Sequence, residues 1–232
     1  MSALSDEPTF YDSFAHVSEL GLDHIGAEHV KRALGFLRSI GIRTRMRERV
    51  EGFLLGPVDI DDGVIVWSWL VRGLVPAPHA EIVGDMLHEA GHLAVLPQDV
   101  RPHLTFDVDE SMHTFETALT DAGEPDLANA VRTMALVGSE AAATCWAYAA
   151  AIHLGIDPKC SFDLAYEEEA SGRIERLECE SGRHQGIENL KQLGLVAEEG
   201  FPKLASWTVG AAGLDPVKTS PRALYSEPST NA

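Results

Sequence analysis

The chain of 232 residues carries 18 lysines and arginines against 36 aspartates and glutamates, which gives a formal net charge of −18. This acidity argues against binding that depends on Lys and Arg, such as contact with nucleic-acid phosphates or with an anionic membrane surface. With 45% hydrophobic and 23% charged residues, the composition is that of a soluble globular protein with a sizeable core.

The first third of the chain predicts helices followed by short strands. Residues 14–20 and 23–40 have apolar residues at helical spacing. The strand predictions, based on β-branched and alternating patterns, are residues 42–47, 53–55, 58–60 and 64–67. Asp61-Asp62-Gly63 is a hairpin signal between the last two strands. The sequence therefore predicts a small antiparallel sheet before residue 80.

The segment after this sheet, residues 80–96, combines helical spacing with the motif His88-Glu89-Ala90-Gly91-His92. In a helix, side chains four residues apart lie on one side, so both imidazoles can bind the same metal ion. Zinc hydrolases use this H-E-x-x-H pattern, in which the glutamate takes a proton from a water molecule that zinc activates. Gly91 would let another helix approach closely. Two hydrogen-bonded core histidines in a chance match are the alternative explanation.

The rest of the chain is predicted to be largely helical. The helical stretches are residues 111–119, 125–137, 139–154 and, mostly, 161–193. From residue 216 onward Pro, Ser, Thr and Asn dominate, which indicates disorder. We therefore predict an α+β fold, with a single mostly helical domain over residues 1–215 and a disordered tail over residues 216–232.

The cysteines and the N-terminus bear on location. Cys145, Cys160 and Cys179 have no C-x-x-C spacing, which argues against a disulfide scaffold and against a cysteine zinc site. They are expected to be reduced thiols in a cytoplasmic protein. The first ten residues include Asp6 and Glu7 and lack the apolar core of a signal peptide, and no run of about 18 apolar residues indicates a membrane span.

A catalytic zinc ion takes three protein ligands, so a third must come from outside the motif. The extended metzincin pattern is excluded, because Val95 and Gln98 stand where it needs Gly and His. Glu140 is the strongest candidate, since it begins an alanine-rich stretch where a buried carboxylate needs a partner. Its alternative is the exposed first turn of a helix capped by Ser139. Asp85 is better placed to accept a ring N–H. The other candidate ligands are His103, Asp107, Asp109, His113 and His153.

Two stretches resemble known metallopeptidases. Residues 86–94, Met-Leu-His-Glu-Ala-Gly-His-Leu-Ala, look like the metal helix of zincin peptidases. Glu140-x-x-Ala143-x-x-Trp146-Ala147 resembles the E-x-x-A-x-x-F-A helix of the ImmA/IrrE-type gluzincins, with Trp146 in place of Phe. The resemblance covers residues 40–155, roughly. It implies a zincin-like fold and one Zn²⁺ ion held by His88, His92 and Glu140.

The function expected from these features is zinc-dependent hydrolysis of a peptide bond in a protein or peptide substrate. Glu89 would act as the general base and then deliver the proton to the leaving amine. The strand at residues 64–67 would pair with an extended substrate. Candidate donors to the oxyanion are Tyr148, His153, Tyr166 and His184.

Three alternatives remain open at this point. The first is a non-proteolytic zinc hydrolase that acts on an amide or an ester. The second is a regulatory or metal-sensing protein of zincin fold without catalysis. The third is a helical structural protein with a chance motif, which would bind no metal.

Overall fold

The computed structural model of the protein describes residues 24–46, 58–67, 70–71, 75–76, 79–105, 107–162 and 170–212. Within these residues the helices are α1 (His24–Ser39), α2 (His79–Val95), α3 (Val108–Asp121), α4 (Pro125–Val137), α5 (Glu140–Leu154), α6 (Ala170–Glu180) and α7 (Gln185–Gln192). The strands are β1 (Thr44–Met46), β2 (Val58–Asp61), β3 (Val64–Trp67), β4 (Leu70–Val71) and β5 (Val75–Pro76). Two 3-10 helices cover Arg101–His103 and Pro158–Ser161. The predicted α+β fold, mostly helical with a small sheet before α2, is confirmed.

The main sheet has the strand order β1-β3-β2. β2 and β3 form the predicted hairpin, and Asp62 and Gly63 at its turn both have positive φ values, 50° and 69°. Such a turn matches the twist of the flanking strands. β1 runs parallel to β3, so the sheet is mixed rather than purely antiparallel. Because β3 has a neighbour on each edge, the expectation that it pairs with a substrate is wrong.

The core lies between α2, α5, α1 and the sheet. The apolar face of α2 is fully buried through Ile82, Met86, Leu87 and Leu93. α5 is buried on all its faces from residue 142 to residue 151. A helix that is apolar all round belongs in the interior of a protein.

The contact between α2 and α5 depends on one glycine. A Cβ atom built on Gly91 would lie 2.6 Å from the carbonyl oxygen of Ala143 and 2.9 Å from its Cα. Only a residue without a side chain allows the two backbones to come this close. The prediction that Gly91 admits a neighbouring helix is therefore confirmed.

Two further segments surround this helix pair. α3 and α4 pack on each other and fill the long interval between α2 and α5, with Phe115, Leu119 and Val131 in the core. Near the C-terminus, the Trp146 indole N–H donates to the carbonyl oxygen of Trp207 at 3.0 Å. The Val209 N–H donates to the carbonyl oxygen of Ala94 at 2.9 Å. These bonds fasten the chain after α7 across both α5 and α2.

Several sequence predictions lie outside the described residues. They are the helix at residues 14–20, the strand at residues 53–55 and the disordered tail at residues 216–232. Of the described helices, none is by itself long and apolar enough to cross a membrane, although α4 and α5 reach that length and composition as a pair bent by 54°.

Gly91→Ala is expected to destabilise the protein, although alanine favours a helix by about 1 kcal/mol over glycine. The added methyl group would meet the backbone of Ala143, and such overpacking costs about 1–3 kcal/mol. Chemical denaturation measures the difference. Gly210→Ala is the control, because no described atom lies within 4 Å of a Cβ built at that position. Equal or greater stability of Gly91→Ala would contradict the backbone contact.

Candidate metal centre

The two histidines of the motif lie one turn apart on α2, as the spacing predicts. Their ring centroids are 5.0 Å apart, and their planes make an angle of 79°. His92 is buried and His88 is partly exposed. Both rings turn their Nε2 atoms to the same place, the first turn of α5.

Glu140 occupies that first turn and contacts both rings. Its Oε1 lies 2.9 Å from His88 Nε2, and its Oε2 lies 3.1 Å from His92 Nε2. The ligand atoms of all three residues lie within 4.8 Å of one another. The side chain of Glu140 is 67% exposed, so the group opens to solvent on this side. Glu140 therefore stands in the exposed first turn of α5 and also contacts both histidines, although Ser139 makes no side-chain capping bond there.

The close approach at Gly91 explains this meeting. His88 precedes Gly91 by three residues and His92 follows it directly, so both flank the contact on α2. Glu140 precedes Ala143 by three residues, about one helical turn. Because Gly91 touches Ala143, the start of α5 lies over the two imidazoles.

The three side chains form a strongly coupled electrostatic group. Hydrogen bonds with His88 and then His92 hold the pKa of Glu140 well below its usual range, so this carboxyl is ionised. Burial lowers the pKa of His88, but the hydrogen bond to Glu140 and the charges of Glu140, Glu89 and Asp85 outweigh it and raise that pKa overall. A carboxylate beside two imidazoles is a set of donors ready for a cation.

Glu89 lies between the two histidines on the same helix and is half-buried. Burial raises its pKa, and the charges of Asp59 and Glu140 act in the same direction, while the histidines oppose them. A carboxylate with a raised pKa is a stronger base than an exposed one. The raised pKa gives Glu89 a higher proton affinity than an exposed carboxylate has.

The group fits zinc by donor type and by distance. Two imidazole nitrogens and one carboxylate are the donors of many catalytic zinc sites. Bonds of about 2.1 Å at tetrahedral angles place such donors about 3.4 Å apart. The observed separations of 2.9 Å and 3.1 Å are a few tenths of an ångström shorter, as direct hydrogen bonds between the same atoms would be. Small side-chain shifts would admit the ion.

One feature differs from the usual surroundings of a zinc ligand. The Nδ1 atom of His92 is buried and has no hydrogen-bond partner in the part of the chain that the structure describes. A metal-binding histidine ordinarily donates this N–H to a carboxylate or a carbonyl group. In the described structure, the polar contact of the His92 ring is therefore the one between its Nε2 atom and Glu140.

A cleft of about 230 Å³ adjoins the centre. α2 contributes Gly84, Asp85 and His88 to its lining, and α5 contributes Glu140 and Thr144. The remaining lining residues are Cys160, Ser161, Phe162 and Glu175. A substrate group that enters this cleft would lie beside His88 and Glu140.

The structure places one of the other candidate ligands, Asp85, beside this group and the rest elsewhere. Asp85 lines the cleft, and its charge acts on His88. His103 is buried and stacks on Phe115, with ring centroids 3.7 Å apart. Asp107 caps α3 by accepting the N–H of Glu110 at 2.9 Å. The remaining candidates, on α3 and at the far end of α5, are Asp109, His113 and His153.

The candidate oxyanion donors have other contacts. Tyr148 stacks on Phe201, and His153 packs against Phe36 and Trp207. Tyr166 lies outside the described residues. The fourth candidate, His184, has its Nδ1 atom 3.1 Å from Cys145 Sγ.

A second group of possible metal ligands was missed at the sequence level. Cys145, Cys179 and His184 come together between α5, α6 and the start of α7. The sequence argued against a cysteine zinc site because the cysteines lack close spacing. Cys145 and Cys179 are 34 residues apart, so only the folded chain could reveal the group.

Comparison of the chain with protein-family models, with curated proteins and with solved structures gave no match. The resemblance to zincin peptidases therefore depends on the two sequence motifs.

His88→Ala, His92→Ala and Glu140→Ala are each expected to reduce bound zinc by one equivalent per chain, because each removes one of three ligands. Elemental analysis of protein dialysed against dilute zinc measures this loss. His113→Ala is the matched control, since this candidate is exposed on α3. Unchanged zinc in Glu140→Ala would exclude Glu140 as the third ligand.

Proposed function

We propose that this protein is a zinc-dependent metallopeptidase of the H-E-x-x-H type. The observation that carries the proposal is the convergence of His88 Nε2 and His92 Nε2 on the two carboxylate oxygens of Glu140. These residues would hold the Zn²⁺ ion. When bound, the ion would polarise a substrate carbonyl group and lower the pKa of a water molecule at the site toward about 7.

Glu89 carries the proton transfers in this proposal. It follows His88 directly on α2, and burial raises its pKa, so it accepts a proton readily. Glu89 would first take the proton of the attacking water molecule and then deliver it to the leaving amine. Glu140 would act as a metal ligand rather than as the base, since the hydrogen bonds of the histidines keep its carboxyl group ionised.

The cleft beside His88 is the proposed place for the substrate. A cavity of about 150 Å³ holds a benzene ring, so the cleft volume of about 230 Å³ holds one side chain or a small molecule rather than a long peptide. A peptide would therefore insert one side chain or a chain end, and the rest would lie outside the cleft. The partner in this proposal is a protein or peptide substrate.

The small volume of this cleft favours a second candidate function, non-proteolytic hydrolysis of a small amide or ester. The same three ligands and the same base serve either reaction. A peptide library tested beside a panel of small amides and esters separates the two. Turnover of small substrates without any peptide cleavage would favour the second candidate.

We also propose that the protein acts in the cytoplasm. Cys145 and Cys179 have their sulfur atoms 3.6 Å apart and are not joined by a disulfide. Neighbouring cysteines persist as thiols in reducing compartments. Cell fractionation would test the location.

Glu89→Gln is expected to retain zinc and to lose about 10²–10⁴-fold in kcat/KM, the usual contribution of a positioned general base. The amide keeps the size of the side chain but cannot accept the proton. Activity on the best substrate of the library is measured together with zinc content. Glu81→Gln, about two turns earlier on α2, is the matched control.

Full activity of Glu89→Gln would overturn the catalytic role of Glu89. Stoichiometric zinc at this centre without hydrolysis of any peptide, amide or ester would instead favour a metal-sensing protein.

A further inference from the structure

A second polar group lies inside the protein, away from the solvent-open Glu140. Cys145 of α5, Cys179 of α6 and His184, the residue before α7, are all buried. Cys145 Sγ lies 3.6 Å from Cys179 Sγ and 3.1 Å from His184 Nδ1. These three ligand atoms lie within 4.8 Å of one another. Two thiols and an imidazole are soft donors of the kind that bind zinc in structural sites.

The distances discriminate between a metal site and a disulfide. Tetrahedral zinc with Zn–S bonds of about 2.3 Å places two sulfur atoms about 3.8 Å apart, and a sulfur and a nitrogen about 3.6 Å apart. The observed 3.6 Å and 3.1 Å are within about half an ångström of these values. A disulfide requires about 2.05 Å between the sulfur atoms. The sulfur atoms would have to approach by about 1.5 Å for a disulfide and separate slightly for zinc.

We propose that Cys145, Cys179 and His184 form a second metal site, which binds a thiophilic dication of the zinc class and serves a structural role. Two thiolates balance the charge of such an ion, and the neutral imidazole adds none. A buried site then carries no net charge, which avoids the large cost of an unpaired ion in the interior. Structural zinc sites have four ligands, so one further donor would complete this site.

The hydrogen bonds of the group are compatible with this role. In the metal-free form, the hydrogen bond with Cys179 and burial raise the pKa of Cys145, so this thiol keeps its proton. Metal binding releases the protons of the thiols that it ligates. His184 Nδ1 accepts the Gly186 N–H at 3.1 Å, and metal ligation would require that lone pair. Cys145 Sγ also lies close to Gly186, 2.9 Å from a Cβ atom built there.

The packing of α6 indicates what the ion would do. Ile174 and Leu177 on this helix are 54% and 53% exposed, so apolar burial holds α6 weakly. Among its described side chains, residues 173–180, Cys179 is the buried one. Glu175 of the same helix lines the cleft beside the candidate metal centre of His88, His92 and Glu140. The ion would fasten α6 to α5 and α7 and thereby position one wall of that cleft.

Cobalt(II) substitution of the full-length protein tests the proposal. Cobalt bound by thiolates gives a sulfur-to-metal charge-transfer absorption, which the first centre cannot give because its ligands are two imidazoles and a carboxylate. We expect this absorption in the cobalt-loaded wild type, and at one equivalent of cobalt in His88→Ala/His92→Ala. Retention in that double variant separates the second site from the proposed peptidase centre.

Two variants probe the ligands and one serves as control. Cys179→Ser and His184→Asn are expected to abolish the absorption and to remove one equivalent of zinc per chain. Asparagine preserves a side-chain cap for α7, so His184→Asn remains able to fold. Cys160→Ser is the matched control, since the third thiol lies outside the group and should leave the absorption unchanged.

Three results would overturn the proposal. The first is the lack of any thiolate absorption in wild-type protein whose three cysteines titrate as free thiols. The second is loss of the absorption in Cys160→Ser but not in Cys179→Ser. The third is a single titratable thiol in denatured protein purified without reductant, because two cysteines would then be joined in a disulfide.

Discussion

The contact between the backbones of Gly91 and Ala143 is the constraint on which the candidate centre depends. Helices that approach this closely have little freedom to slide, because the backbone of each helix packs directly against that of the other. The register of α2 against α5 is therefore set at one point. Glu140 lies one turn from that point on α5, and the histidines flank it on α2. Any larger residue at position 91 would meet the backbone of Ala143 and disturb this register.

α5 combines two properties that ordinarily conflict. Its middle is buried on every side, which stabilises the core. It nevertheless contributes a polar side chain to each of the two groups of possible metal ligands. Glu140 is tolerated because it stands at the exposed first turn and is paired with two imidazoles. Cys145 is tolerated deeper in the core because a thiol loses little on burial and has polar neighbours. The helix thus joins the proposed catalytic centre to the proposed structural site.

Prediction from the sequence succeeded where the evidence is local. The apolar periodicity of α2 and the alanine-rich stretch of α5, which ends at Gly155, predicted both helices, and Asp61-Asp62-Gly63 predicted the β2–β3 hairpin. It failed where two distant segments meet. The parallel pairing of β1 with β3 has no local signal, although it covers the edge of β3 that β2 leaves open. The meeting of Cys145 with Cys179 and His184 likewise depends on how α6 and α7 pack on α5.

The sequence by itself determined the pair of histidines, the glutamate between them and the face they share, because four residues make about one helical turn. It also marked Glu140 as a carboxylate in need of a partner, although several other acids and histidines remained candidates. Only the tertiary structure brought one of them, Glu140, into contact with both imidazoles. The reason is physical: the crossing of two helices decides which side chain meets the imidazoles, and that crossing is set by the small residues at Gly91 and Ala143.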